Sequence, residues 1–567
     1  MSPLRDASRR LSPPVSNRSV LVVTATLNER ANIDRLCDIV LKLPMSPHLL
    51  VVDDNSSDGT GERLRELAQD NEKLIPIHRP RKLGLGSAHM LGMTYAIQNG
   101  YDVLVTMDAD FSHDPTDIPR LVEKLDEADF VIGSRYMPGG SSDYEGYRHI
   151  VSTSANRLAR TLLGIRLHEF TTSFRAFRTD VLAELDLGTI RSQGYSFFME
   201  SLWHIARAGH RVKEVPIHFA DRVHGESKIP RWEIFTGGRK LLSLFLLRLL
   251  GRRPRTDSVG NPGPCPACES NLRLVLYPET GARPTEGEHE AYRCTSIEHR
   301  SRPQVARCLA CGLATAGESS FSRPHKQEYE DVVDEEYLKN EWVKHKTFGH
   351  LANQVSSRLP KPGKVLEVGA YCGIFMDEAK KAGWNIEGVE PSRWASEIAR
   401  SRGHSVTQGM LADTAAALNG PYDTVVLWDV IEHLEDPVTD LRLIRSKLKD
   451  DGHLCLSTID MDGWFARLMG RRWPWIMHMH LYYFTTRSLT DLLNRAGFTM
   501  VEELPYRHFA SIRYLGSKAA AILPPGLSWL ATLVAQLIPA RIVLPIYLGD
   551  VKLYLAKPTQ EKDPASS

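Results

Sequence analysis

The chain has 567 residues, a formal net charge of +1 and a hydrophobic content of 42%. This length predicts about three or four domains. The neutral charge balance argues against a nucleic-acid-binding protein, which usually carries a basic face. Residues 1–18 are rich in Arg, Ser and Pro and predict a disordered tail without a signal peptide. The apolar runs are too short or too interrupted to predict a membrane span.

Residues 19–230 alternate short apolar runs with helical patterns, which predicts an α/β domain. The predicted strands are Val20–Ala25, Leu49–Asp53, Leu74–Arg79, Val103–Met107 and Phe130–Ser134. Polar residues and glycines follow the first three strands, where ligands bind in α/β sheets. The candidate nucleotide-binding residues there are Thr26, Asn28, Glu29, Asp53, Asp54, Lys82 and Gly86.

Two carboxylates follow the fourth predicted strand. Asp108 and Asp110 are separated by one residue, so their side chains share a face of the chain. Close carboxylates repel each other unless a cation lies between them, and Mg²⁺ or Mn²⁺ suits carboxylates that face a diphosphate. The pair therefore indicates a metal-assisted nucleotide-sugar site, although an isolated Asp-x-Asp is also typical of a polar turn.

Further motifs along residues 19–250 narrow the interpretation. They are Gly133 to Tyr136, Thr172 to Arg178, Gly194 to Glu200, Glu214 to Phe219 and Asp221 to Lys228. In this order they resemble the dolichol-phosphate mannose synthase branch of the inverting family 2 glycosyltransferases, which have an A-type, Rossmann-like fold. The resemblance implies transfer of a hexose from GDP-mannose or a UDP-sugar to polyprenyl phosphate.

The resemblance also implies roles for individual residues. Asp108 and Asp110 would hold the metal that bridges the donor diphosphate. The acceptor phosphate is already anionic, so catalysis would depend on positioning and on stabilising the leaving diphosphate. The predicted phosphate-binding cations are Arg135, Arg222 and Lys228. Roles for Arg175 and Glu200 stay open, because each residue also suits a structural contact.

Residues 231–264 predict an amphipathic helix followed by a linker. Leu and Phe residues between Trp232 and Leu250 are flanked by Arg and Lys, which is typical of a helix in the lipid headgroup region. A helix packed on the protein core has the same pattern. The first interpretation predicts peripheral membrane contact, which suits a polyprenyl acceptor.

Two Cys-x-x-Cys pairs lie within residues 265–320, Cys265 with Cys268 and Cys308 with Cys311. Four thiolates suit one tetrahedral Zn²⁺ ion in a reducing cytoplasm. The gap between the pairs exceeds the roughly 12–20 residues usual in zinc ribbons and contains Cys294, so a ligand exchange is an alternative. A redox role is disfavoured because neither pair has a βαβ context.

A second α/β alternation begins at Lys364. Its predicted strands are Val365–Val368, Asn385–Glu390, Thr424–Trp428, His453–Thr458, Thr499–Leu504 and Val551–Lys557. A glycine-rich turn follows the first of these strands and an acidic residue ends the second, which suits a nucleoside and its ribose diol. The candidate cofactor-binding residues are Glu367, Gly369, Gly373, Glu390, Asp413 and Asp429.

With the Cys pairs and the segment from Asp423 to Pro437, this order resembles class I S-adenosylmethionine (SAM)-dependent methyltransferases that carry an N-terminal zinc-binding segment. Tyr371 replaces a glycine of the usual motif, which leaves open an altered cofactor site or a domain that only binds. His433 is a candidate general base for a hydroxyl acceptor, with His480 as an alternative.

The sequence thus predicts an α/β protein with an A-type glycosyltransferase domain, a small Cys-rich zinc segment and a class I methyltransferase domain. The predicted boundaries are a tail at 1–18, the glycosyltransferase at 19–230, the helix and linker at 231–264, the zinc segment at 265–320, the methyltransferase at 321–558 and a tail at 559–567. The predicted protein is bifunctional and lies at the cytoplasmic membrane face. The alternative is a glycosyltransferase for a soluble or protein acceptor, with a non-catalytic methyltransferase-like scaffold.

Overall fold

The computed structural model describes residues 18–144, 146–221, 233–251, 262–281, 301–321, 329–359, 363–512, 533 and 542–559. The chain folds into two compact units. The first comprises Met1–Leu276 with Arg307–Gly312, and the second comprises Tyr277–Ala306 with Leu313–Ser567. Within the described ranges, no helix combines the length and apolarity needed to cross a bilayer.

The first unit contains a seven-stranded sheet and a short two-stranded pair. The strands are β1 (Val20–Thr26), β2 (His48–Asp53), β3 (Leu74–His78), β4 (Val103–Asp108), β5 (Phe130–Ser134), β6 (Ser141–Ser142), β7 (Arg175–Arg178), β8 (Val212–Pro216) and β9 (His218–Phe219). The order in the large sheet is β3-β2-β1-β4-β7-β5-β8. Strand β10 (Arg273–Tyr277) follows the first Cys pair in the chain, and β11 (Val305–Cys308) ends at the first cysteine of the second pair.

The large sheet is parallel except at β7, which pairs antiparallel with both β4 and β5. Strands β1 and β4 are parallel neighbours, with Ala25 opposite Asp108. Strands β1 and β2 are also parallel, with Thr26 opposite Asp53. Because parallel strands end at the same edge, the loops after β1, β2 and β4 meet there, where open α/β sheets bind ligands.

Helices cover the sheet of the first unit. They are α1 (Arg30–Leu41), α2 (Thr60–Gln69), α3 (Leu85–Gln98), α4 (Ile118–Lys124), α5 (Gly146–Leu163), α6 (Thr179–Ala183), α7 (Ser196–Ala208) and α8 (Glu233–Leu249). The sheet is buried between two apolar clusters, one that includes Val23 and Phe197 and another that includes Val22 and Leu36. Consecutive residues of β1 thus point into opposite cores, as the alternation of a strand requires.

The second unit is built on another seven-stranded sheet. The strands of this unit are β12 (Ala314–Ala316), β13 (Lys364–Val368), β14 (Asn385–Glu390), β15 (Val406–Gln408), β16 (Tyr422–Trp428), β17 (Leu448–Ile459), β18 (Tyr482–Tyr483), β19 (Phe498–Pro505), β20 (His508–Ser511), β21 (Val543–Ile546) and β22 (Val551–Pro558). The sheet order is β15-β14-β13-β16-β17-β22-β19, with β22 antiparallel to both neighbours.

The helices of the second unit lie mostly between these strands in the chain. They are α9 (Glu318–Phe321), α10 (Glu335–Lys339), α11 (Glu341–Ser356), α12 (Ile374–Lys381), α13 (Arg393–Ser401), α14 (Leu411–Thr414), α15 (Pro437–Lys447), α16 (Trp464–Met469) and α17 (Thr486–Arg495). In the sheet, β13 lies between β14 and β16. The chain therefore continues on one side of β13 with β14 and later crosses to its other side with β16. Such a reversal opens a ligand crevice at the carboxyl ends of the strands.

Candidate active sites

The loops after β1 and β2 are joined by hydrogen bonds. The backbone N–H of Asn28 donates to the Ser56 hydroxyl at 2.8 Å, and the Asn28 side-chain oxygen accepts from the Ser57 N–H at 2.8 Å. The Glu29 N–H donates to Thr60 Oγ1 at 3.0 Å. Asn28 itself is left-handed, with a φ of 57°. Asn tolerates this region better than most residues, so the sequence permits the sharp turn that exposes Asn28.

Asp53 ends β2 and is buried beneath these loops. Its Oδ1 accepts from the hydroxyls of Thr26, at 3.3 Å, and of Ser56. His78 Nδ1 lies 3.6 Å from its Oδ2. These contacts fix the carboxylate at the strand end, where the sequence predicts a base or ribose contact.

Asp54 forms a buried ion pair with Arg79. The Arg79 Nε donates to Asp54 Oδ1 at 2.5 Å, and both side chains are under 10% exposed. The same guanidinium donates to Ser87 Oγ at 2.7 Å and to the Gly84 carbonyl at 3.3 Å. Through Arg79, Asp54 therefore holds the turn between β3 and α3 in place. These contacts are made within the protein and do not involve a ligand.

The predicted donor-binding turn also contains Lys82 and Gly86. Lys82 is exposed. The Gly86 N–H donates to the Gln193 carbonyl at 2.6 Å, and a Cβ at Gly86 would lie 2.7 Å from the Ser192 carbonyl oxygen. A glycine is therefore required at position 86 because the backbone of residues 192 and 193 passes so close to it. A contact between Gly86 and a nucleotide stays a prediction.

The two metal-binding candidates lie on one turn at the end of β4. The Asp108 side chain is 24% exposed and lies 3.8 Å from His113 Nδ1. Asp110 is buried and accepts from the Ser112 N–H at 3.1 Å. Between Asp110 and Ser112, Phe111 has a φ of 60°, an uncommon conformation for a bulky residue. Strained backbone of this kind concentrates at functional sites.

The buried side chain of His113 supports this turn from the protein interior. It is fully buried, stacks on Phe174 with ring centres 5.1 Å apart, and its Nε2 lies 3.1 Å from Thr172 Oγ1. Burial lowers the pKa of His113 to about 4, so the ring is neutral near pH 7. A neutral neighbour leaves the charge of Asp108 and Asp110 for a cation, and their hard carboxylate oxygens fit Mg²⁺ or Mn²⁺.

Arg135 is engaged by the protein itself. Its Nε donates to Glu169 Oε2 at 2.9 Å, and its guanidinium lies over Phe219 at 4.3 Å from the ring centre. Burial opposes ionisation, but Glu169 raises the pKa of Arg135. No sequence pattern marks Glu169. Arg222 and Lys228, the other predicted phosphate-binding cations, lie outside the described residues.

The structure gives Arg175 and Glu200 structural partners. The Arg175 guanidinium is buried and donates to the carbonyls of Thr172, Phe198 and Phe170 at 2.8–3.0 Å. Burial lowers the pKa of Arg175 to about 9. Glu200 on α7 accepts from Lys240 on α8 at 2.9 Å. The Glu200–Lys240 pair fastens α8 to the first unit.

Helix α8 has one buried and one exposed apolar face. Leu241 and Leu244 are at most 6% exposed and belong to the core. The buried face agrees with the interpretation of a helix packed on the core, and the interpretation of a helix in the headgroup region stays a prediction. With the neighbouring α5, the opposite face forms what we term the apolar patch. Its members are 50–80% exposed and are Tyr147, Ile150, Leu158, Phe235, Leu242, Leu246 and Leu249.

The four cysteines of the two Cys-x-x-Cys pairs converge. Cys265 Sγ lies 3.8 Å from Cys311 Sγ, and Cys268 Sγ lies 3.6 Å from Cys308 Sγ. All four sulfurs lie within 4.8 Å of one another. A tetrahedral zinc with Zn–S bonds of about 2.3 Å requires S–S distances of about 3.8 Å, and a disulfide requires about 2.05 Å. The donor set and its spacing therefore fit one Zn²⁺ ion.

The Cys cluster lies within the first compact unit. Leu309, between the two cysteines of the second pair, is 4% exposed and belongs to the apolar core of that unit. A Cβ at Gly312 would lie 2.8 Å from Leu83. Cys294, the alternative ligand, is outside the described residues.

The second unit places two predicted cofactor residues close together at the ends of β13 and β14. Glu367 is 2% exposed, and its Oε2 has no hydrogen-bond partner among the described residues. Glu390 accepts from the N–H groups of Tyr371, at 2.7 Å, and Ser392, at 2.8 Å. Burial raises the pKa of Glu390 to about 7, and burial beside Glu390 also raises the pKa of Glu367 well above its ordinary value.

The glycine-rich turn keeps a glycine-like backbone at Tyr371. Gly369, Tyr371 and Gly373 all have positive φ, of 78°, 44° and 75°. The Tyr371 ring packs edge-on against Tyr337 at 4.6 Å and Trp394 at 6.2 Å. The departure from the motif therefore changes the packing of the turn while the backbone path is retained. An orphaned buried Glu367 oxygen beside such a turn fits a polar cofactor such as SAM.

Asp413 and Asp429 occupy different surroundings. Asp413 is exposed on α14. Asp429 has a φ of 54°, and its Oδ1 accepts from Ser457 Oγ at 2.7 Å. Glu432 follows in the turn after β16, is 1% exposed and accepts from Thr458 Oγ1 at 2.9 Å. Burial, with Asp429 nearby, raises the pKa of Glu432 to about 8.

His433 and His480, the two candidate bases, lie side by side. Their ring centres are 4.7 Å apart. His433 Nδ1 lies 2.8 Å from the Met479 carbonyl oxygen and 3.1 Å from the Tyr329 hydroxyl, and His480 Nδ1 lies 2.8 Å from the Trp475 carbonyl oxygen. Tyr329 lies in a charged stretch without a motif, so no sequence pattern marks it.

Comparison with known proteins assigns each half separately. Residues 21–186 match the glycosyl transferase family 2 model, and residues 340–503 match a methyltransferase domain model. The polyprenol monophosphomannose synthase of Mycolicibacterium smegmatis is 42% identical over 240 residues, which cover 42% of this chain and 88% of that protein. The undecaprenyl-phosphate mannosyltransferase of Micrococcus luteus is 40% identical over 211 residues, which cover 37% of this chain and 87% of that protein.

Among solved structures, a SAM-dependent methyltransferase of Thermotoga maritima is 22% identical, with a TM-score of 0.27. The match covers 40% of this chain and 96% of that one.

Proposed function

Because the chain belongs to the family 2 glycosyltransferases, as a relative of polyprenol-phosphate mannose synthases, and also carries a methyltransferase domain, we propose a specific pair of reactions. The first unit transfers mannose from GDP-mannose to a polyprenyl phosphate with inversion. The second unit transfers a methyl group from SAM to a hydroxyl of the resulting lipid-linked sugar.

The turn that carries Asp108 and Asp110 is the observation that supports the first reaction. One carboxylate is partly exposed, the other is buried, and the backbone is strained at Phe111, directly after Asp110. A divalent cation held there neutralises the leaving diphosphate. The two mannosyl-transferring relatives favour GDP-mannose as the donor and polyprenyl phosphate as the acceptor.

A lipid-extraction assay on the full-length protein tests this reaction. GDP-mannose, UDP-glucose and UDP-N-acetylglucosamine are compared as labelled donors for undecaprenyl phosphate, with and without Mn²⁺. We expect a metal-dependent mannolipid, and a loss of about 10²-fold or more in Asp110→Asn, the scale of losing one key electrostatic contact. Asp114→Asn is the matched control, because Asp114 only caps the next turn by accepting from the Thr116 N–H and Asn retains this cap.

The donors and acceptors distinguish the alternatives. Transfer from a UDP-sugar alone would contradict the mannose assignment. Transfer to a soluble or protein acceptor without polyprenyl phosphate would contradict the lipid assignment and favour the alternative function.

The apolar patch on α5 and α8 supports peripheral membrane contact. It has seven exposed apolar side chains on two helices that also carry the exposed residues Arg157 and Arg239, a composition suited to the lipid headgroup region. In a flotation assay with anionic vesicles, the double substitution Leu242→Asp and Leu246→Asp should abolish most binding. Val501→Asp, at a residue 55% exposed in the second unit, is the matched control. Equal flotation of both variants would contradict a membrane role for the patch.

The orphaned Glu367 oxygen and Glu390 support cofactor binding in the second unit. SAM, when bound, supplies an electrophilic methyl group. The chain's own groups bind and orient SAM, and His433 or His480 accepts the proton of the hydroxyl. Incubating the mannolipid with methyl-labelled SAM tests the acceptor. Label in free GDP-mannose but not in the lipid would contradict it, and binding of SAM without any transfer would favour the scaffold alternative.

A further inference from the structure

Three potential metal-ligating side chains meet in the second unit, outside the Cys cluster and the glycosyltransferase turn. Glu432, His433 and His480 each offer a ligand atom, and these atoms all lie within 4.8 Å of one another. Glu432 is 1% and His480 is 4% exposed. Two imidazoles and one carboxylate with open positions remaining are a common protein site for a catalytic Zn²⁺ or Fe²⁺ ion.

The cluster is held in place by backbone contacts. The Leu481 N–H donates to the Glu432 carbonyl at 2.9 Å, and the Tyr482 hydroxyl donates to the Glu435 carbonyl at 3.0 Å. These bonds join the turn after β16 to β18 and the residue before it. The segment that carries His480 is thereby brought back to His433, whose Nδ1 lies 2.8 Å from the carbonyl oxygen of Met479, 46 positions later in the chain. The arrangement therefore does not depend on a metal for its assembly.

The outer contacts orient both imidazoles. Each Nδ1 lies 2.8 Å from a backbone carbonyl oxygen, Met479 for His433 and Trp475 for His480. A carbonyl only accepts, so each Nδ1 carries the proton and each Nε2 is left with its lone pair. Metal-binding histidines are typically oriented in this way, by donating the other ring N–H to a carbonyl or carboxylate. Thr458 likewise donates to Glu432 Oε2 at 2.9 Å.

We propose that Glu432, His433 and His480 bind one divalent transition-metal ion, with Zn²⁺ the favoured ion, and that its open position accepts an oxygen donor such as a sugar hydroxyl. The site is distinct from the Cys cluster, which lies in the first unit. With the ion bound, neither Nε2 accepts a proton, and the ion instead lowers the pKa of the bound hydroxyl. Without the ion, a histidine accepts that proton as described above, so metal binding and methyl transfer can each fail without the other.

Metal content and cobalt spectroscopy test the site in the full-length protein. The chain is stripped with a chelator, reloaded with Co²⁺, and measured by elemental analysis and visible absorption. The measurement uses Asp110→Asn protein, so that the carboxylates of the glycosyltransferase turn do not add a third ion. We expect about two ions per chain, one with intense sulfur charge-transfer bands from the four thiolates and one with weaker bands from nitrogen and oxygen ligands. His480→Gln and, separately, His433→Gln should lose the weaker bands and bind that ion at least about tenfold less tightly.

Two further variants complete the test. Cys308→Ser should weaken only the sulfur bands, and His453→Gln, at a histidine on β17 outside the cluster, should change neither. Tyr329→Phe, which removes a hydroxyl 3.1 Å from His433 Nδ1 but no ligand, should weaken the second ion by less than His433→Gln does. About one ion per chain, held by the cysteines alone, would overturn the proposal, as would a second ion insensitive to both histidine substitutions.

Discussion

At the scale of single residues, the two units treat their buried carboxylates differently. Burial raises the pKa of Asp54, Glu367 and Glu390, but Asp54 is paired with Arg79, whereas Glu367 and Glu390 lie close to each other. The fold favours the protonated form of Glu390, whose pKa rises from 4.5 to about 7. Its contribution to stability is therefore complete below about pH 4.5 and is lost as the pH rises through 7.

Binding of the cofactor product should have the opposite pH dependence. An ionised Glu390 accepts from a ribose diol more strongly than a neutral one. At about pH 6, one unit below the pKa of Glu390, only about a tenth of the carboxyl is ionised, so S-adenosylhomocysteine should bind up to about tenfold more weakly than at pH 8. Titration calorimetry across this range measures the effect.

The substitution Glu390→Gln is the control for this prediction. It keeps the side-chain shape and removes the titration, so the affinity should be lower and nearly independent of pH. An unchanged pH profile in Glu390→Gln would assign the effect to another group and would contradict the predicted ribose contact.

At position 371, glycine should give a more stable protein than alanine, the reverse of the usual order. At its φ of 44°, an L side chain costs roughly 1 kcal/mol that glycine does not pay. Tyr371→Gly should therefore be more stable than Tyr371→Ala by about 1 kcal/mol, measured by urea unfolding of the second unit. At its packing partner Tyr337, which lies in helix α10, the same pair of substitutions should show alanine the more stable by about 1 kcal/mol. If the alanine variant were the more stable one at both positions, the backbone at residue 371 would have left its positive φ, and the prediction would be wrong.

Single residues also show where sequence reasoning reaches its limit. Asp108 and Asp110 could be paired from the sequence because only one residue lies between them. The partner of Arg135 could not, because Glu169 is 34 positions away and only the folding of β5 against the following segment joins them. Arg135 already pairs with Glu169 inside the protein, and its contact with a phosphate stays a prediction.

At the scale of elements, the Cys segment links a metal site to the glycosyltransferase fold. Leu309 is part of the core of the first unit, and Gly312 contacts the turn that holds Leu83. That turn is the one braced by Arg79 and Asp54. Loss of the Zn²⁺ ion should therefore loosen the predicted donor-binding turn.

Hydrogen exchange can measure this effect. In Cys308→Ser with Cys311→Ser, exchange over residues 81–87 should accelerate by about 30-fold, equivalent to about 2 kcal/mol of lost local stability, and mannose transfer should fall with it. S-adenosylhomocysteine affinity should be unchanged. Cys37→Ser, at a buried cysteine outside the cluster, controls for thiol loss. Loss of cofactor binding with normal transfer would instead tie the zinc segment to the methyltransferase.

The predicted elements agree with the structure where periodicity is strong and fail where pairing is non-local. Phe130–Ser134 and Asn385–Glu390 are confirmed without change, whereas the strand predicted at His453–Thr458 extends over Leu448–Ile459. Strand β7 was not predicted, because its four residues lie within a motif and are stabilised by antiparallel pairing with β4 and β5. Such pairing depends on partners far along the chain, which local patterns do not report.

At the scale of the whole molecule, two enzymes on one chain raise the question of whether they share an intermediate. The sequence predicted both folds because each has ordered motifs. Their joint action follows from neither fold. A mannolipid made by the first unit would stay in the bilayer, so the apolar patch would hold the second unit of the same chain near the product. Linkage of this kind raises the effective concentration to about the millimolar range for short connections.

This argument predicts faster methylated-lipid formation by the intact chain than by two complementary variants. Wild-type protein is compared with an equimolar mixture of Asp110→Asn, which we expect to be deficient in transfer, and Glu367→Ala, which we expect to be deficient in cofactor binding, on vesicles supplied with both substrates. At low protein density, the wild type should form methylated mannolipid about tenfold faster or more. The difference should vanish at high density, because the mannolipid then meets a neighbouring chain as readily as its own. Equal rates at every density would mean that the units draw on a common lipid pool, and the fusion would then serve joint membrane recruitment rather than transfer of the intermediate.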